Sequence, residues 1–259
     1  MSFDELNTRM RIFETAHDHR VLPGMFTVAR LDGRGFTRLT KEVHRFEAPF
    51  DPRFRDLMVH TTRHLMQNTG LSFAYGHTHS DELSLLLLQA ERSFGRKLRK
   101  WNSVLAGEAS AAFSLALGHH AVLDCRISQM PQRQQVLDYF RWRQADAHRN
   151  ALNAHCYWAL RNEGMSQREA TARLSGRSVG DKNELLFRRG INFNELPAWH
   201  KRGIGFWWEP YEKRGINPKT GEQAVATRRR LNEEALLPVG AQYDALVQER
   251  IDEAEASGD

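Results

Sequence analysis

Phe26-Thr-Val-Ala-Arg-Leu-Asp-Gly-Arg-Gly-Phe36 and Phe73-Ala-Tyr-Gly-His-Thr-His-Ser-Asp-Glu-Leu-Ser-Leu-Leu-Leu-Leu88 are the two stretches that decide the fold. The first is a short β-prone run, apolar at Phe26, Val28 and Leu31, that delivers Asp32 into a glycine-interrupted turn. The second carries Phe73, Ala74 and Tyr75 to a polar turn, presents Asp81 and Glu82, and continues through Leu83 and Leu85 to Leu88. Strand, glycine punctuation, acids and strand again is the pattern of a hairpin with carboxylates at one end. Acids beside runs that must be buried are costly unless a positive charge neutralises them. Oxygen donors from neighbouring strands suit Mg²⁺, so Asp32 and Asp81 read as metal ligands.

The chain around these stretches alternates in type. A helix is predicted over 4–20, with Leu6, Met10, Phe13 and His17 at helical spacing and Pro23-Gly24 as its stop. Pro49 and Pro52 mark a loop, and 53–69 is a helix with Phe54, Leu57, Met58, Leu65 and Met66 on one face. Residues 91–117 are helical, and 121–127 alternate as a strand. The order α-β-α-β-β-α-β predicts a ferredoxin-like mixed sheet with helices on one face, an α/β (α+β) class. Residues 132–161 and 166–175 are helical again, the second opened by a capping box at Ser166-Gln-Arg-Glu169. Residues 180–220 read as loop-rich, with Ile204-Gly-Phe-Trp-Trp208 a late strand. A polar helix begins near Tyr243, and the tail from Ala254 frays. Residues 1–130 are expected to form the catalytic core and 131–259 a part packed on it as one compact unit.

At 259 residues, 41% hydrophobic and 27% charged, the chain has the make-up of an ordinary globular protein. No stretch approaches the ~20 apolar residues of a membrane span. The start Met-Ser-Phe-Asp-Glu-Leu-Asn has no basic-then-apolar character, so no secretion signal and a cytoplasmic location are expected. Cys125 and Cys156 lie in apolar runs and read as reduced thiols. A net charge of +5 favours an anionic partner, and the positive charge is clustered. Arg96-Lys97-Leu98-Arg99-Lys100, Thr227-Arg228-Arg229-Arg230 and the 141–149 segment are the dense patches, each also compatible with a solvated face.

Pattern alone leaves an acid after a strand free to be a turn or capping residue. The metal reading gains its chemical sense from the two-metal scheme, in which one ion lowers the pKa of an attacking hydroxyl and the other stabilises the leaving pyrophosphate. Gly33 and Gly35 let backbone approach a triphosphate, and Lys97 and Lys100, one helical turn apart, could grip it from the other side. His77 and His79, like His119 and His120, read as solvated loop histidines. Ser80 lacks the partners of a nucleophile.

Five ordered segments carry a resemblance. These are Leu-Asp-Gly-Arg-Gly-Phe (31–36), Ala-Tyr-Gly…Ser-Asp-Glu (74–82), Trp-Arg-Gln-Ala-Asp-Ala-His-Arg-Asn (142–150), Gly-Asp-Lys-Asn-Glu-Leu-Leu-Phe (180–187) and Ile-Asn-Phe-Asn-Glu-Leu-Pro (191–197). Together they resemble the tRNA(His) guanylyltransferase family, especially its bacterial and archaeal guanylyltransferase-like branch. The resemblance implies a polymerase-palm fold and 3′-to-5′ addition of nucleotides to an activated tRNA 5′ end. It implies two Mg²⁺ ions held by Asp32, the Gly33 backbone and Asp81, with Glu82 a supporting catalytic acid. Asp32, Gly33, Arg34, Gly35, Phe36, Thr37, Ser80 and Asp81, with Lys97 and Lys100, would bind the nucleotide. His148, Asn150, Lys182 and Asn192 or Asn194 match positions linked to activation and a second triphosphate. GTP, ATP and other nucleoside triphosphates would be substrates, tRNA the partner, and a homotetramer the assembly.

The family's His-x-Asn-Asn-Leu-Tyr-Asn-Thr appears here as His148-Arg-Asn-Ala-Leu-Asn-Ala-His155. That departure, beside the activation residues, favours templated repair of truncated 5′ ends over strict addition of one G. Two rival readings keep parts of the pattern: a cyclase-like enzyme acting on free nucleoside triphosphates, and a non-catalytic RNA-binding relative.

Overall fold

The computed structural model describes residues 1–216 and 223–256, so Pro218 and Gly221 of the expected loop and the last three residues of the tail lie outside the described residues. The elements in order are α1 (Phe3–Thr15), β1 (Phe26–Gly33), the short α2 (Phe36–Arg38) with a π-helical turn over Leu39–Val43, α3 (Pro52–Asn68), β2 (Phe73–His79), β3 (Glu82–Leu87) and α4 (Leu98–Leu117). They continue with β4 (Leu123–Met130), α5 (Arg133–Asn162), α6 (Gln167–Leu174), α7 (Val179–Phe187), α8 (Ala198–Arg202), β5 (Ile204–Ile216), β6 (Gln223–Glu234) and α9 (Ala241–Ala256).

The unit β1-α3-β2-β3-α4-β4 is the expected ferredoxin-like arrangement, and its strands lie in the order β4-β1-β3-β2. β5 and β6 extend the same sheet beyond β2. The α/β class holds, with one refinement: all five strand pairings are antiparallel, so the sheet is not mixed in direction.

Strand alternation sends successive residues to opposite faces. Ala29, Leu31, Leu83, Leu85 and Leu87 meet Met58, Leu65, Trp101, Leu105 and Phe113 of α3 and α4. Phe26, Val28, Tyr75 and Leu86 meet Val136 and Phe140 of α5 and Tyr243, Val247 and Ile251 of α9. Helices therefore cover both faces, not one. The second layer was hidden because α5 carries arginines and acids along much of its length and gives no clean apolar stripe.

Other boundaries shift for local reasons. α1 ends at Thr15, well before Pro23-Gly24, and no residue in it is buried. The capping box at Ser166 forms as expected, the hydroxyl accepting from the Glu169 amide at 3.3 Å. The segment read as loop-rich instead contains α7, α8 and a long β5. α7 is opened by a second capping box, Ser178 with Asp181. α9 does not fray at Ala254, which is buried against the second layer. Cys125 and Cys156 are free thiols, and burial pushes both up, to about 12 and about 11.

Candidate active site

Register places the acids. Asp32 on β1 is the Cα partner of Glu82 on β3 and of Asp124 on β4, and Glu82 is in turn opposite His79 on β2. One step back lies a second row, Arg126, Arg30, Ser84 and His77, on the same face. The hairpin tip folds onto the end of β1, where the Gly33 amide donates to the Asp81 carbonyl at 3.0 Å. Asp81 thereby comes beside Asp32. Ser80 at the tip has a positive φ of 55° and donates its hydroxyl to Asp81 at 3.1 Å.

Like charges directly across a sheet repel unless compensated. Arg30 Nε lies 3.0 Å from Glu82 and its Nη2 lies 3.3 Å from Asp32. Arg143 of α5, only 6% exposed, bonds both Glu82 oxygens at 3.0 Å and reaches Asp146 at 3.5 Å. Asp124 has Arg126 at 3.2 Å. Asp81 has no basic side chain paired with it among the described residues. Burial and the neighbouring Asp32 charge push its carboxyl up. Glu82 is also raised, because burial outweighs the two arginines. The acid row thus holds one uncompensated carboxylate next to another acid, the kind of place a divalent cation relieves.

Asp32, Asp81 and the Gly33 carbonyl are all hard oxygen donors, which fit Mg²⁺. No group of three or more His, Cys, Asp or Glu side chains converges as a metal cluster among the described residues. An ion there would keep part of its shell from water or phosphate oxygens, which is the habit of Mg²⁺. Gly33 is confined as well: a Cβ on it would lie 2.4 Å from the Phe36 ring.

Two cavities flank the hairpin tip. The larger, about 660 Å³, has Asp32, Asp81 and Glu82 on one wall and Trp142, Asp146 and Asn150 of α5 on the other. The smaller, about 110 Å³, is an apolar cleft lined by Phe46, Pro49, Phe50, Trp158 and Trp199, with Lys41 at its side. They share Pro49, Phe50, His79 and Ser80.

The expected nucleotide-binding residues separate into those near the acids and those far away. Arg34, Gly35 and Thr37 are exposed at the turn after β1, and Gly35 adopts a left-handed φ of 72°. Phe36 turns inward against Phe54 and Phe113 in the core, so its ring lines no nucleotide site. Lys97 and Lys100 are not brought to the acids. They sit at the start of α4, where the Val21 amide bonds the Arg96 carbonyl and the Leu98 amide bonds the His19 carbonyl, just ahead of β1. Asp32 is at the other end of β1, about 20 Å away by strand rise. Lys97 is held by Asp18 at 2.6 Å. Helical spacing put the lysines on one face without saying which end of the sheet that face met.

His148 and Asn150 diverge because they are two apart on α5. Asn150 donates to Asp146 at 3.1 Å in the large cavity, while His148 packs edge-on to Phe193, 5.3 Å between centroids. Burial, then Lys201 and Arg202, lower the His148 pKa. Asn192 caps the short turn Phe193–Glu195 by accepting from the Asn194 amide. Buried Lys201 fixes that turn, donating to the Phe193 and Asn194 carbonyls at 3.1 and 2.7 Å. The Lys182 carbonyl accepts the Cys156 thiol at 3.4 Å.

His77 and His79 are not solvated. Both lie on β2 and donate to the carbonyls of Arg202 and His200 at 2.8 Å, tying α8 to the hairpin. His200 stacks on Phe50 at 4.6 Å and on His155 at 5.3 Å. Gly203 makes this closeness possible: it has a φ of +75°, and a Cβ there would meet His77 Nε2 and the Thr78 carbonyl at 2.5 Å. His119 is exposed as expected, its ring 5.1 Å from His44. Sequence reasoning missed Arg30, Arg143, Asp146, His200 and Lys201. Arg30 was findable, since it precedes Asp32 by two and shares its face.

Arg143→Ala is expected to destabilise the protein by about 2–3 kcal/mol, below the full cost of a broken buried pair because Glu82 retains Arg30. Urea unfolding reads it. Arg143→Lys should recover less than half, since the guanidinium reaches Glu82 through Nη1 and Asp146 through Nη2, and a single ammonium cannot span both acids. A loss under about 0.5 kcal/mol would mean that water screens the pair.

The sequence matches the family described as tRNAHis guanylyltransferase over residues 7–140 and that described as Thg1 C terminal domain over 134–245. It is 34% identical over 197 residues to the probable tRNA(His) guanylyltransferase of Drosophila melanogaster, covering 72% of this chain and 68% of that protein. The human probable tRNA(His) guanylyltransferase is 33% identical over 211 residues, 76% and 69% of the two chains. Among solved structures, a bacterial tRNA(His) guanylyltransferase (Thg1)-like protein in complex with GTP superposes with a TM-score of 0.73 at 27% identity, covering 95% of this chain and 99% of that one. The Saccharomyces cerevisiae tRNA(His) guanylyltransferase gives 0.70 at 27% identity, over 76% and 90%.

Proposed function

The chain belongs to the tRNA(His) guanylyltransferase family, nucleotidyltransferases acting at tRNA 5′ ends, and on that footing we propose that it is a Mg²⁺-dependent 3′-to-5′ polymerase repairing truncated tRNA 5′ ends against a template. The observation that carries the site is the meeting of Asp32 and Asp81 at the hairpin tip, with Asp81 left uncompensated. The fit over 95% of the chain to a bacterial guanylyltransferase-like protein supports placement in that branch.

Mg²⁺ bound by Asp32, Asp81 and the Gly33 carbonyl would supply Lewis-acid activation of the attacking 3′-hydroxyl and charge neutralisation at the leaving pyrophosphate. Arg30 and Arg143 hold Glu82 in place behind the pair, keeping the acid row aligned. At the exposed turn after Gly33, Gly35 leaves the backbone open for phosphates to approach. The apolar cleft, with Phe46 and Trp158, takes a purine ring by stacking and exclusion of water. That cleft suits the GTP and ATP found on bacterial relatives. On the far side of α5, His148, packed on Phe193 between Asn192 and Asn194, offers with them a second polar group for a further triphosphate.

RNA contact falls to the arm formed by β5 and β6. Among the described residues, beyond the three of β5 that pair with β2, the two strands pair only with each other, and Arg228, Arg229 and Arg230 are exposed along the arm. Such a ribbon binds phosphates by charge and shape. Changing these three arginines to glutamine is expected to weaken RNA binding equally for different sequences and to reduce the slope of log affinity against log salt by about 2. Anisotropy titrations at several salt concentrations read this, and an unaltered slope would remove the arm from the interface.

The deciding experiment offers the protein Mg²⁺, labelled nucleotides and two tRNAs. One is tRNA(His) lacking its extra G and the other lacks its first 5′ nucleotide, each with a 5′-monophosphate or a 5′-triphosphate. Template-matched addition to the truncated tRNA is expected. A single G on tRNA(His) irrespective of the opposing base would overturn repair as the main role.

A further inference from the structure

Reverse addition requires two nucleotides at once, the RNA end and the incoming one, and the apolar cleft accounts for only one base. Trp142 stands on the opposite wall of the large cavity and is 54% exposed, although it is a large aromatic beside the acids. Its place is fixed from behind. The Arg143 guanidinium lies over one face of the indole, 3.6 Å from its centroid, and is itself anchored by the two Glu82 oxygens. Tyr139 meets the ring edge-on, with centroids 5.9 Å apart, and is tethered through its hydroxyl to Ser84 at 3.0 Å. Trp142, Asp146 and Asn150 follow at i, i+4 and i+8, one stripe of α5 along the cavity.

We propose that Trp142 is a stacking platform for the second nucleobase, with its free face turned to the large cavity and the Arg143 guanidinium as its backing. This rests on the nucleotidyltransferase reading above. An indole held between a fixed cation and a tyrosine is pre-organised, so stacking a base on it costs little ordering. Stacking is sequence-tolerant, because every base has a π-face. A site that must accept whichever nucleotide the template requires needs that tolerance. Phe50, the other large aromatic at this cavity, is half-buried and already stacked on His200, so it offers no open face of this kind.

The base has two possible sources, the RNA 5′ terminus or the incoming nucleotide. Full-length protein with Mg²⁺ would be saturated either with an acceptor-stem RNA carrying 2-aminopurine at its 5′ end or with 2-aminopurine riboside triphosphate. Occupancy would be read independently, by anisotropy of a 3′-label on the RNA and by equilibrium dialysis for the triphosphate. Bound wild type is expected to quench 2-aminopurine severalfold more than bound Trp142→Leu, which retains an apolar cover over Arg143. Trp142→Phe should retain most of the quenching. The arm in which the difference appears identifies the source. Equal quenching by wild type and Trp142→Leu in both arms overturns the proposal, as does failure of wild type to bind either probe. A stacking difference without transfer on unlabelled tRNA would keep the platform and sink the polymerase reading, so the two failures are distinguishable.

Discussion

Asp81→Asn is expected to cripple nucleotide addition while raising thermal stability. The carboxyl of Asp81 is pushed up by burial and by Asp32. A carboxyl whose folded pKa lies above its unfolded value binds more protons folded than unfolded, so its contribution turns unfavourable as pH rises through that window. At neutral pH the ionised side chain is a cost, and an amide removes it. Asp32→Asn also relieves Asp81, but it loses the contact with Arg30, so its gain in stability should be smaller. Either change is expected to lower the rate of transfer on the order of a thousandfold, the scale of losing several kcal/mol of metal-centred stabilisation. Calorimetry with and without Mg²⁺ supplies the second readout: the ion should raise the wild-type melting temperature and leave Asp81→Asn unmoved. Transfer near the wild-type rate by either variant would end the assignment of this pair as the metal site.

Acid should destabilise the protein well before its ordinary carboxylates titrate. Burial lowers His77, His155 and His200 to about 4, and His79 moves in the same direction. Lys201 adds to the shifts at His155 and His200, and Arg55 to that at His200. In the unfolded chain these rings take up protons near 6.5, and in the fold they resist until about 4. Their contribution is therefore complete above pH 6.5 and is lost as pH falls towards 4. One such ring is worth on the order of 3 kcal/mol across the window. Asp51, lowered to about 2 mainly by Arg53, contributes above its unfolded value and yields only in stronger acid. Denaturant unfolding at pH 7, 6 and 5 is expected to show a steep decline, made shallower by His155→Gln. Stability that stays level from pH 7 to pH 5 would contradict the burial of this cluster. Since His77 and His79 tie α8 to the hairpin carrying Asp81, transfer should fail over the same pH range.

Much was legible in the sequence by itself. The alternating apolar runs defined β1 and β3, the glycines marked the turn after Asp32, and helical spacing located α3 and α5 closely; α4 ends where expected but starts only at Leu98, because the residues expected to open it form a separate turn over Ser93–Arg96 with left-handed Phe94 and Gly95. The acids Asp32, Asp81 and Glu82 were identifiable because carboxylates beside buried strands are expensive and need a reason. Local order determines such features, since periodicity and turn chemistry act over a few residues.

What the sequence could not decide depended on register and on which end of an element meets which. A one-residue change of register would turn Asp32 to the opposite face. Antiparallel pairing alone puts Arg30 behind the acids and Glu82 across from Asp32. Lys97 and Lys100 had the right spacing and charge, yet α4 starts at the far end of the sheet. His77 and His79 looked like loop residues until α8 supplied the carbonyls that buried them. Arg143 and Trp142 lay inside a segment already singled out, but their pairing with Glu82 and with each other required α5 to cross the sheet above β3. Long-range contacts of this kind have no local signature, because the groups that neutralise a buried charge come from whichever element the packing brings over it.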